Sequence, residues 1–178
     1  MAPLISDHVI KFPVSSVSNL TSYGALILSI VLIVLFLIRF YILQNFLLEK
    51  LHGPKYTQLN DVNRRNFLNH YIACGTRLAI FIIGVYPFGS VVFGGSTFNT
   101  PYIHGSRVTM GDILLISTQM LTGMFIFDLL YRVIIPLVSV AHHIASIMVA
   151  QIVLAMSIKG YREFESSIAF LICIVWGK

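Results

Sequence analysis

Residues 20–38 read LTSYGALILSIVLIVLFLI, and no formal charge falls between Lys11 and Arg39. A charged group near the bilayer centre costs at least ~2.5 kcal/mol. About 20 apolar residues rising 1.5 Å each cross a hydrocarbon core of ~30 Å. This stretch therefore has the length and the purity of a membrane span. A secretory signal carries a shorter apolar core of ~7–15 residues and a small-residue cleavage site, so the run reads as an uncleaved anchor. The whole chain agrees with that reading, because its 178 residues are 57% hydrophobic and only 11% charged. Soluble domains carry about a quarter charged residues, and a soluble product is thereby excluded. Twelve Lys/Arg against seven Asp/Glu give a net charge of +5. In a membrane chain this excess bears on topology, and with no basic stripe or motif it implies no nucleic-acid partner. The two cysteines, Cys74 and Cys173, sit in or beside apolar runs and offer neither a disulfide framework nor zinc-ligand spacing.

Outward from the anchor, the charge-free stretch between Arg77 and Arg107 holds a second span at 74–92. Gly84, Pro87 and Gly89 interrupt it, and the helix is expected to kink or end near Pro87. Residues 93–107 have the composition of a loop. Thr109 and Asp112 then show capping-box spacing ahead of a third span at 110–130. A short hinge at 131–135 leads to Pro136, which suits the first turn of a helix because its missing N–H needs no partner there. A fourth span follows at 136–157. The last apolar run, 166–176, is too short to cross. The expected fold is an all-α integral membrane protein with four complete transmembrane helices and a fifth cut short. Excess Lys/Arg marks the cytoplasmic side. Arg39, Lys50, Lys55, Arg64, Arg65 and Arg77 place the first connection in the cytosol and the N-terminus in the lumen. The Asn19-Leu20-Thr21 sequon abuts the anchor so closely that it is expected to stay unused.

Intramembrane ionisable groups are functional candidates by default. The fourth span carries adjacent His142 and His143, and at about 100° per residue Ser139, His142, His143, Ser146, Ala150 and Ser157 share one face. Measured from Pro136, the histidines lie roughly 9–11 Å along the helix, within the hydrocarbon yet reachable from the cytosol. Imidazole serves general acid/base work, nucleophilic catalysis or metal ligation. Adjacent helical residues point apart, so one ring would react while the other orients a substrate or takes a hydrogen bond. The plainer reading makes both rings interhelical glue. In the third span, Asp128 and Arg132 stand at i,i+4 with the acid first, the favourable order for a helical ion pair. Asp128 is either half of an interfacial salt bridge or a carboxylate that orients an imidazole across the hairpin. Thr118 and Thr122 read as packing contacts. The basic cluster Arg64, Arg65 and Arg77 either fixes topology or meets lipid headgroups or acyl-CoA phosphates. Haem has little support, since His8, His52, His70 and His104 fall outside the spans and offer no facing second ligand. Nothing requires a metal or other cofactor.

Several of these elements together resemble the TLC-domain family, which includes the ceramide synthases. They are Arg64-Arg65-Asn66-Phe67, GTRLAIF at 75–81, FIFDLLYR at 125–132, the hinge with Pro136, and SVAHHIASIMV at 139–149. The resemblance covers roughly residues 64–176 and implies a multi-pass protein of the endoplasmic reticulum with a role in lipid metabolism or homeostasis. In the synthases the paired histidines belong to the site that transfers an acyl group from acyl-CoA to a long-chain amine. His142 and His143 alone would be their counterparts, with acyl-CoA as possible co-substrate; Asp128, Arg132, Ser139 and Ser146 are supporting residues offered by the spacing and the shared face described above. The charge map gives a lumenal tail (1–19), an anchor (20–38) and a basic cytosolic connection (39–63), and the resemblance adds an incomplete TLC domain (64–178). The acidic cluster that partners the histidines in the synthases does not arrive before Lys178, and the rest of the family's helical barrel is missing. The polar stripe of the fourth span is therefore expected to face lipid or a partner chain. Membrane lipids are the expected partners, and assembly with its own or another chain stays open. The competing class is a non-enzymatic membrane protein whose His/Ser stripe mediates helix association or lipid binding.

Overall fold

The computed structural model describes residues 18–53, 56 and 58–158. A single 3-10 turn at Thr21–Tyr23 opens into helix α1, Gly24–Leu37, which continues unbroken through a π-helical stretch, Ile38–Leu47, to the short helix α2, Leu48–His52. Helices α3 (Asp61–Val92), α4 (Met110–Tyr131) and α5 (Leu137–Ile158) follow. Four segments, Thr21–Gln44, Asp61–Val92, Met110–Tyr131 and Leu137–Ala155, are long and apolar enough to cross a membrane. Among the described residues there is no β-strand, only an isolated bridge between Pro101 and Thr109. The all-helical fold with four membrane-length helices is thus the one expected. The fifth run at 166–176 lies outside the described residues, as does most of the tail at 1–19.

Helix α4 occupies the centre, with α1, α3 and α5 packed around it. More than half of its span is buried, whereas the other three turn most of their surface outward. The cause lies in its side chains. Ser117, Thr118, Gln119 and Thr122 would each be costly against lipid tails, so the helix with polar side chains at the middle of its span goes inside. All four are buried. The hydroxyls donate to carbonyls one turn back, Ser117 to Ile113 at 2.9 Å, Thr118 to Leu114 at 3.0 Å and Thr122 to Thr118 at 2.9 Å. Gln119 Oε1 takes a long bond from Gln151 Nε2 of α5 at 3.4 Å. Small residues set the close approaches, as is usual between membrane helices. A Cβ on Gly123 would stand 2.7 Å from Val31 Cγ1, so α1 crosses α4 against bare backbone. Ile30 and Ile33 of α1, Phe81 and Ile82 of α3, and Met148 and Ile152 of α5 form the outward apolar surface.

The first turn of α4 closes by the expected capping box. Thr109 Oγ1 accepts from the Asp112 N–H at 3.2 Å, and Asp112 Oδ2 accepts from the Thr109 N–H at 2.9 Å. Asp112 Oδ1 also takes the hydroxyl proton of Ser18 at 2.6 Å, pinning the entry to α1 against the start of α4. The preceding loop folds back so that Met110 and Gly111 donate to the carbonyls of Thr100 and Phe98, satisfying N–H groups a helix start leaves open.

Two expectations about helix limits differ from the structure. Helix α3 starts thirteen residues before Cys74, at Asp61, with Asn60 Oδ1 capping it through the Asn63 N–H at 2.8 Å. It passes through Pro87 to Val92, so the proline does not end it. Its 32 residues reach about 48 Å, longer than a hydrocarbon core, and its charged first turns extend beyond the apolar part. The first membrane helix likewise does not stop at Arg39. Leu35, Arg39 and Leu43 are all buried at four-residue intervals.

Candidate functional site

Helix α4 ends at Tyr131, and the short crossing to Leu137 lays the first turns of α5 beside the last turns of α4. Position 128 on one helix thereby meets position 143 on the other. Asp128 Oδ2 lies 3.1 Å from His143 Nε2. Arg132 Nη1 approaches the same oxygen at 3.5 Å from one turn on, at the outer edge of an ion pair. The Asp128 and His143 side chains are 14% and 11% exposed and that of Arg132 is 38%. The carboxylate thus lies between a buried imidazole and a guanidinium open to solvent.

Phe125, fully buried in α4, packs its ring 4.6 Å from that of His143 and 5.9 Å from that of His142. The two imidazoles stand 5.8 Å apart and steeply inclined, as adjacent helical positions require. They have different surroundings: His143 is buried and bonded to Asp128, whereas His142 is half-buried. Two polar atoms on the buried face have no hydrogen-bond partner, His143 Nδ1 and Ser146 Oγ. Ser146 lies one turn further along α5 than His143 and is buried, while Ser139 is half-buried one turn nearer the start of α5. The stripe of α5 therefore packs on α4 through His143, Ser146 and Ala150, against the expectation that it would face lipid or another chain. The polar centre of α4 supplies a surface on which these groups can be sheltered. The side chain of Ser157 lies outside the described residues.

The arrangement suits proton transfer. With Nε2–H donated to Asp128, Nδ1 retains a lone pair and can accept a proton, and the carboxylate fixes that tautomer and stabilises the imidazolium that forms. Among the described residues, no group of three or more His, Cys, Asp or Glu converges to hold a metal.

Other polar groups make contacts that the sequence did not indicate. Arg39 is buried and donates through Nη1 to Asn69 Oδ1 of α3. Its guanidinium stands 4.8 Å from the Tyr131 ring, 5.5 Å from Phe40 and 5.8 Å from Phe127. Nε of Arg39, Nδ2 of Asn69 and Oδ1 of Asn66 are buried and unpaired. His52 Nε2 pairs with the Tyr71 hydroxyl at 3.1 Å. One signal for Arg39 does exist in the sequence, since IRFYIL at 38–43 sets a single charge among aromatic and aliphatic residues with no helix breaker. Arg64, Arg65 and Arg77 all lie on α3, and Arg64 pairs with Asp61 at 3.3 Å.

Comparison of the chain with family models, with curated proteins and with solved structures finds no match. The chemistry of the site itself is then the ground for assigning a function.

Proposed function

We propose that the chain is a TLC-domain-like multi-pass protein of the endoplasmic reticulum membrane, its N-terminus lumenal, and that it acts in lipid metabolism by N-acyl transfer from acyl-CoA to a long-chain amine. One observation carries the reading: a buried imidazole whose Nε2 is held by Asp128 and whose Nδ1, buried too, has no hydrogen-bond partner. In the proposed reaction the amine nitrogen attacks the thioester carbonyl carbon while its proton passes to His143 Nδ1. The C–S bond then breaks, and the imidazolium returns the proton to the departing thiolate, so that amide and free thiol are the products. Asp128 stabilises the imidazolium, and Arg132 offsets the carboxylate's charge from the solvent side. The Ser146 hydroxyl, unpaired and one turn further along α5, is the donor suited to the oxyanion that develops on the carbonyl. His142, at the half-buried position, orients the substrate.

Microsomes containing the protein are expected to acylate a long-chain amine from acyl-CoA, and His143→Ala or His142→Ala to abolish this. Unchanged turnover in both variants would sink the proposal. A second reading has its own support, because the His143–Asp128 contact also ties α5 to α4. In that reading the protein is not an enzyme, and the stripe serves helix association or lipid binding. It forecasts loss of assembly or of bound lipid in the double histidine variant, with no turnover from any acyl donor. Blue-native gels and lipid mass spectrometry separate the two.

A further inference from the structure

We propose that Arg39 and Asn69 form a binding site for the phosphate of an anionic phospholipid headgroup. Arg39 is 4% exposed and Asn69 is 3%. Among the described residues no carboxylate pairs with the guanidinium, which rests on three aromatic rings and on one neutral amide oxygen. Buried charges are normally paired, and a lone one is among the most costly features a fold can carry. Two donors in the cluster, Arg39 Nε and Asn69 Nδ2, are also buried without an acceptor. A phosphodiester supplies what is missing, a negative charge and oxygens for both donors, and the arginine fork matches it in geometry. Asn66, one turn before Asn69 on α3, holds a buried, unpaired carbonyl oxygen. That acceptor suits a headgroup hydroxyl.

The position of the cluster selects a lipid over a soluble anion. Arg39 follows directly on the apolar run of α1 and lies five residues before the end of the membrane-length segment Thr21–Gln44, within reach of headgroups at that end of the span. Phe36, Leu37, Tyr41 and Ile42, on the same winding, are 41%, 45%, 68% and 50% exposed and give acyl chains an apolar surface. Arg65, exposed on α3, acts electrostatically on the same site and adds positive potential. The segment bearing Arg39 is π-helical, a winding found frequently where function requires it. The cluster is distinct from the histidine site, since Tyr131 and Phe127 point from α4 toward Arg39 while Asp128 points toward α5.

The test uses the full chain, purified and placed in nanodiscs of phosphatidylcholine alone, of phosphatidylcholine with phosphatidylglycerol, or of phosphatidylcholine with inorganic phosphate added at matched ionic strength. Thermal unfolding and native mass spectrometry are the readouts. Wild type is expected to retain phosphatidylglycerol and to melt at higher temperature in its presence. Arg39→Met should lose both effects while melting no lower than wild type in phosphatidylcholine, because the substitution removes an uncompensated charge. Arg39→Lys keeps the charge, drops the Nε donor and should bind about ten- to a hundredfold more weakly, which keeps the proposal testable if Arg39→Met does not fold. Equal retention of phosphatidylglycerol by wild type and Arg39→Lys overturns the site. A melting shift produced equally by inorganic phosphate overturns the headgroup assignment.

Discussion

Gly123 offers the sharpest test of the packing around α4. Replacing a helical glycine by alanine ordinarily stabilises the helix by up to about 1 kcal/mol, because alanine loses less backbone entropy. At position 123 the added methyl would stand 2.7 Å from Val31 Cγ1, closer than carbon atoms approach without displacement. Overpacking of this kind costs about 1–3 kcal/mol. The two terms oppose each other, and Gly123→Ala is expected to range from neutral to about 2 kcal/mol destabilising. Gly75 on α3 is the control, since a Cβ there meets nothing within 4 Å. Gly75→Ala should therefore stabilise. Val31→Ala removes the Cγ1 that clashes, while Val31 Cβ, at 3.5 Å, stays at an ordinary contact distance. Gly123→Ala combined with Val31→Ala should then be more stable than the sum of the two single effects, by a coupling on the order of 1 kcal/mol. Equilibrium unfolding in mixed detergent micelles measures all four variants. If Gly123→Ala stabilises as much as Gly75→Ala and the Val31 cycle is additive, α1 does not cross α4 at this point and the bundle is wrongly assembled.

Two further expectations follow from the ends of α4. Asp112→Ala leaves the Ser18 hydroxyl and the Thr109 N–H without their acceptor, and with the helix cap also lost it should cost about 2–4 kcal/mol in the same unfolding assay. A cost below that of an ordinary surface substitution would deny the tie between Ser18 and α4. Arg132→Ala is expected to change stability by under about 1 kcal/mol, because the side chain is 38% exposed and its contact with Asp128 is long at 3.5 Å. A loss several times larger would mean that Arg132, rather than His143, is the partner Asp128 depends on.

Features set by neighbouring residues were legible in the sequence, and features set by helix packing were not. Thr109 and Asp112 announced the start of α4 because a capping box needs only four consecutive residues. Pro136 and the short hinge announced the hairpin, and with it the meeting of Asp128 with the histidine pair. Which histidine Asp128 would take depends on the rotation of α5 against α4, and adjacent residues differ there by about 100°. Phe125, packed on both rings, looked like any other apolar residue of its span. Arg39 was misread for a related reason. A charge map ends a span at its first cation, yet a guanidinium can lie within the bundle when aromatic rings and an amide receive it, and those come from Phe127, Tyr131 and Asn69, which are far off in sequence. The buried faces also inverted the usual expectation. The serines, threonines and glutamine of α4 marked the core, because the solvent to be avoided is lipid.

The most direct test of the proposed function is the initial rate of acyl transfer from acyl-CoA to a long-chain amine in membranes containing wild type, His143→Ala, or Asp128→Asn at matched protein level. The account expects a measurable wild-type rate, its loss in His143→Ala, and a fall of about ten- to ten-thousandfold in Asp128→Asn, which preserves the shape of the contact but not the charge or the tautomer it enforces. A wild-type rate unchanged by either substitution would contradict it.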